Sequence, residues 1–147
     1  MRICLSVHFY DNLDRFRIRY DVIGFSYYPW WHGSLLDLRE NLAFAAERYH
    51  KDIIVVETAY HWRPSNETAG RAMPFPETPE GQAAFLDAVA DVVMNTPDGR
   101  GVGVFWWEPA VSGRSGLNSR GFFDDNGNSL PVLDTFDKYT RPSRRGK

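Results

Sequence analysis

A single cysteine, Cys4, stands among 147 residues, which excludes an internal disulfide framework and any cysteine-built zinc site. No apolar run approaches the roughly 20 residues that cross a bilayer. The opening Met1-Arg2-Ile3-Cys4-Leu5-Ser6-Val7 holds too short an apolar stretch for a secretory leader. Neither sign of charge dominates: 17 Lys and Arg against 19 Asp and Glu leave a formal net charge of -2, without the basic excess of a nucleic-acid footprint. No glycine-rich fingerprint follows an apolar run, which weighs against nucleotide-binding versions of the open α/β sheet. His8, His32, His50 and His61 show no metal-ligand spacing, so no metal site is assigned. What the chain has in excess is aromatic: 5 Trp, 7 Tyr and 10 Phe.

The length fits one domain but is well short of the ~250 residues of a typical α/β barrel. Ile53-Ile54-Val55-Val56 is a β-branched run suited to a strand covered on both faces, and Glu57 follows at once. An unpaired carboxylate is costly in a core, so Glu57 is expected where the strand emerges, the place where parallel α/β folds keep their chemistry. Two further strands are predicted near 20–28, stopped by Pro29, and near 101–107, leaving through Glu108-Pro109. Between them, Ser34 with Asp37 caps a helix over 34–50 carrying Leu35, Leu38, Leu42, Ala45 and Tyr49 on one side. Thr78-Pro79-Glu80 opens another helix, which buries Phe85, Val89, Val92 and Val93 and ends at Pro97-Asp98-Gly99. A poorly bounded helix ending near Phe16 precedes the first strand, and Trp30-Trp31-His32-Gly33 is read as a loop. Residues 61–77 form a long loop rich in proline. Asp124 to Asn128 makes a turn, Ser129 caps a last helix reaching about Tyr139, and residues 141–147 form a disordered basic tail behind one unit spanning 1–140.

Strand alternating with helix, with acidic and aromatic residues at each strand exit, is the grammar of an α/β barrel or a doubly wound sheet. The exits present Tyr27-Tyr28-Pro29-Trp30-Trp31, Glu57-Thr58-Ala59-Tyr60 and Trp106-Trp107-Glu108-Pro109. Aromatic faces beside a carboxylate suit a carbohydrate, whose C–H faces stack on indole or phenol while its hydroxyls find hydrogen-bond partners.

These exits, Thr78-Pro79-Glu80-Gly81-Gln82 and the run from Asp21 to Gly33 together resemble the C-terminal part of glycoside hydrolase family 53, the arabinogalactan endo-β-1,4-galactanases, over residues 9 to 140. The resemblance implies strands six to eight of a (β/α)8 TIM barrel and retaining hydrolysis of β-1,4-galactan or arabinogalactan. It makes Glu57 the nucleophile and Tyr27 or Tyr28 the aromatic that hydrogen-bonds it. It puts Trp107 under the sugar, with Trp30, Trp31 and Tyr60 as further substrate-binding candidates. Glu108 is expected to make a structural hydrogen bond or ion pair. The family's acid/base glutamate follows an asparagine at the end of strand four. The only Asn-Glu pair here is Asn66-Glu67, in a loop with no strand before it, and Glu67 is not assigned that role. The chain therefore reads as a fragment, and its open sheet edges favour self-association over hydrolysis. A galactan-binding protein without turnover and a self-associating half-barrel are the rival readings. The family implies an extracellular enzyme that needs no cofactor; some relatives carry a structural calcium, for which Glu67, Asp124 and Asp125 give no adequate oxygen pattern.

Overall fold

The computed structural model describes residues 3–111 and 117–139; the basic tail expected from residue 141 lies outside them. Three strands, β1 (Val22–Tyr27), β2 (Asp52–Thr58) and β3 (Gly101–Trp106), form a parallel sheet in the order β1-β2-β3. Parallel neighbours need crossovers, and these are α3 (Leu35–Tyr49) between β1 and β2, and α4 (Pro79–Met94) between β2 and β3. Helix α1 (Ile3–Arg15) precedes the sheet.

Local chemistry explains the boundaries of the two crossover helices. The Ser34 hydroxyl accepts from the Asp37 amide while Asp37 accepts from the Ser34 amide, a complete capping box, and His50 ends α3 in the left-handed region at φ 52°. On α4 the Thr78 hydroxyl accepts from the Gly81 amide and Pro79 fills the first turn, where its missing N–H costs nothing. Gly81 is obligatory: a Cβ there would lie 1.8 Å from the Pro76 carbonyl oxygen.

Helices α3 and α4 cover one face of the sheet. There Ile23, Phe25, Tyr27, Ile53 and Val55 pack with Leu38, Leu42, Phe85 and Val89 in one buried cluster. The opposite face is open, leaving Val22, Val56 and Phe105 at 43%, 42% and 59% exposure. Among the described residues the outer edges of β1 and β3 have no strand partner.

Two local expectations need correction. Pro29–His32 is a short helix, α2, rather than a loop, because Pro29 is preset for a first turn and the Trp31 and His32 amides both donate to the Tyr28 carbonyl. Ser129 is not a cap: it pairs with Phe123 in an isolated antiparallel bridge that closes the Asp124 turn, and the following Pro131–Lys138 segment is 3-10 with Leu130 at its cap position.

Candidate active site

Glu57 reaches the open face through an irregularity in β2. The register pairs Phe25 with Val55 and then Ser26 with Glu57, so Val56 is one residue too many. A plain ladder would pair Glu57 with Tyr27 on the helix side, where a carboxylate would be buried. The bulge puts it beside Ser26 on the other face, half-buried at the C-terminal end of the strand. Gly24 makes room for the extra residue, since a Cβ there would stand 2.9 Å from a Val56 methyl.

The choice between the two tyrosines follows from alternation along the chain. Tyr28 donates its hydroxyl to Glu57 Oε1 at 2.5 Å. Tyr27 lies on the helix side, fully buried, with its hydroxyl donating to the Gly33 carbonyl and its ring 6.1 Å from Phe85, so it has no contact with the carboxylate. Burial first, then the hydrogen bond to Glu57 and its charge, push the Tyr28 phenol well above its ordinary pKa, with Arg120 pulling partly the other way. Tyr28 is thus a fixed hydrogen-bond donor at neutral pH.

The aromatic candidates divide by exposure. Trp31, at 55%, packs edge-on to Tyr28; Trp107, at 43%, directly follows β3, with its amide donating to the Thr58 carbonyl. Trp30 and Tyr60 are not platforms. Trp30 is enclosed by Tyr28, Trp31, His61 and Arg120, and Tyr60 stacks 4.5 Å from Phe85 with its hydroxyl donating to the Phe75 carbonyl, so neither has a ring face for a ligand. Glu108 turns the chain sharply with φ 61° and takes part in no ion pair among the described residues.

Sequence reasoning missed the polar cluster behind this site. Glu67 is ion-paired to Arg120 and lies 3.3 Å from His61 Nε2, an electrostatic approach rather than an aligned hydrogen bond; His61 Nδ1 meets the Ser119 hydroxyl at 2.7 Å. Burial, then the Arg120 charge, hold His61 below its ordinary pKa, while the Arg120 pair and His61 outweigh burial and hold Glu67 below its own. Gln82, fully buried, donates to the carbonyls of Tyr60 and Gly121, tying the loop after β2 to the loop after β3. The Gln82 position within Thr78-Pro79-Glu80-Gly81-Gln82 was the one signal in the sequence that could have pointed to this tie. Among the described residues no group of three His, Cys, Asp or Glu side chains is placed to hold a metal.

Comparison with known proteins places this geometry. The model of glycosyl hydrolase family 53 matches residues 3–136. An arabinogalactan endo-β-1,4-galactanase of Cellvibrio japonicus is 38% identical over 136 residues, covering 79% of this chain and 35% of that protein. A family 53 catalytic domain from Ignisphaera aggregans superposes with a TM-score of 0.82 at 26% identity, over 92% of this chain and 43% of that one. A fungal β-1,4-galactanase gives 0.81 at 30% identity, over 92% and 44%. These neighbours are TIM-barrel domains matched in part, and the chain spans about a quarter to a third of the length of the curated relatives it matches.

Proposed function

The chain belongs to glycosyl hydrolase family 53, and we propose that it carries the nucleophile side of a retaining endo-β-1,4-galactanase acting on β-1,4-galactan of the arabinogalactan type. The single observation that carries this reading is the Tyr28 hydroxyl on Glu57 Oε1, at the C-terminal end of a parallel strand and next to the exposed indole of Trp31. On this reading β1, β2 and β3 are barrel strands six, seven and eight.

The bond to Tyr28 occupies one oxygen of Glu57 and leaves the other to attack. The attacking oxygen forms a bond to the anomeric carbon as the bond to the leaving sugar oxygen breaks, and that oxygen takes a proton from an acid. Water then cleaves the glycosyl ester and restores the carboxylate. Trp107 and Trp31 offer apolar faces to the sugar rings. Glu67 is not the acid: Arg120 keeps it ionised. The acid is proposed to come from the part of the catalytic domain that the matched region does not span. A polymeric plant polysaccharide as substrate implies action outside the cell, and no described helix is long and apolar enough to cross a membrane.

A 2-deoxy-2-fluoro-β-galactobioside carrying a dinitrophenolate leaving group tests the assignment, because so good a leaving group needs no proton donor. Peptide mapping is expected to find the sugar on Glu57, with labelling abolished by Glu57→Gln. Labelling of another carboxylate, or none on folded protein, would overturn the assignment. Binding of galactan oligosaccharides without labelling would instead favour a carbohydrate-binding protein.

A further inference from the structure

One side chain touches all three strand-exit loops. Arg120 belongs to the 3-10 turn Asn118–Arg120 after β3. Its guanidinium lies over the ring of Trp30 at 5.4 Å and over that of Tyr28 at 5.7 Å, both from the β1 exit, and it pairs with Glu67 from the β2 exit. Its backbone is fixed independently, since Trp106 Nε1 donates to the Arg120 carbonyl at 2.7 Å and Gln82 holds the next carbonyl at 3.0 Å. The Arg120 side chain is only 6% exposed. Taking a cation out of water is unfavourable, and apolar replacements of a buried pair are often neutral or better for stability. Folding alone therefore gives little reason for a guanidinium beneath Tyr28. Reaction geometry gives a better one.

The hydroxyl of Tyr28 can aim Glu57 only if its ring cannot swing. Trp30 and Trp31 lie against that ring with centroids 5.1 Å away, and the Arg120 guanidinium carbon lies over it at 5.7 Å. We propose that Arg120, anchored by Glu67, is a positioning residue for the glycosylation step: it braces the Tyr28 ring so that the hydroxyl holds one oxygen of Glu57 and points the other at the anomeric carbon. The proposal rests on Glu57 being the nucleophile. A planar guanidinium is required, and an ammonium point charge on a flexible stem does not replace it.

The fluorogalactobioside probe separates the two readings, because its inactivation kinetics give a limiting glycosylation rate and a half-saturating concentration. Arg120→Met is expected to lower the limiting rate roughly ten- to a hundredfold, with half-saturation changed by less than about twofold and the near-UV spectrum unchanged. Arg120→Lys is expected to fall with it, and Glu67→Gln to show a smaller loss in the same constant. Should Arg120→Met fail to fold, Glu67→Gln decides on the same two constants. Unchanged limiting rates, or rate and half-saturation lost together with the near-UV signal, would overturn the proposal while labelling of Glu57 in the parent chain stood. Absence of that parent labelling would instead remove the nucleophile assignment.

Discussion

On the helix side of the sheet Ile23, Tyr27, Ile53 and Val55 have no exposed surface, whereas on the other side Val22, Val56 and Phe105 keep 43%, 42% and 59% of theirs. Both faces come from the same three strands, and side-chain alternation, reset by the bulge at Val56, sorts residues between them. The covered face has a finished core. Among the described residues the open face has an apolar wall without a cover and, at its upper rim, the carboxylate and its tyrosine. Adjacent residues therefore have different surroundings: Tyr27 packs in the core, and Tyr28 donates its hydroxyl to Glu57.

The comparison breaks most decisively at Glu57. Glu57→Gln should abolish covalent labelling yet leave the urea midpoint nearly unchanged, since the side chain is half-buried and outside the core. Phe85→Ala should do the reverse. Phe85 is fully buried between Tyr60 and Tyr27, and its truncation should cost about 3–5 kcal/mol in chemical denaturation. The tyrosine pair gives the sharpest contrast: Tyr28→Phe should slow labelling roughly ten- to a hundredfold, whereas Tyr27→Phe should lose only about 1 kcal/mol of stability with labelling retained. Equal behaviour of the two variants would mean that the faces are not functionally distinct.

The uncovered wall predicts concentration-dependent association, visible in sedimentation, which Phe105→Ser should reduce at little cost in stability. Smallest is the response to acid. The unfolded chain takes up a proton on His61 before the folded one does, because the folded pKa lies below the ordinary 6.5; stability should begin to decline below about that pH. Glu67, depressed below 4.5, contributes stability that is present above that value and lost as pH falls through its folded pKa. Urea midpoints against pH should show both declines, and His61→Gln should remove the earlier one.

Much of the scaffold was legible because its signals are local. The capping box at Ser34, the Thr78-Pro79 start and the β-branched run into Glu57 each depend on residues within one or two turns, and the helix faces they implied are the buried ones. The motif resemblance likewise led to the family. That Trp30 and Tyr60 are buried could not be read, because exposure depends on what packs from elsewhere; Arg120 and Phe85, far along the chain, close over them. The Arg120–Glu67 pair joins residues separated by 53 positions, and no pattern in either neighbourhood announces it. Which tyrosine meets Glu57 could not be read either, because periodicity says that one of two neighbours faces the mouth without saying which.

Val56 makes β2 a strand in which counting matters as much as composition. Keep that residue but iron out the bulge, and everything after it shifts by one step: Glu57 turns into the greasy layer beside Tyr27 and the mouth loses its negative charge. A chain shortened by Val56 would close the ladder smoothly with the carboxylate still opposite Ser26. The surplus valine is taken up by the bulge over Gly24, and it is the bulge, not the length of the strand, that decides which face receives the charge.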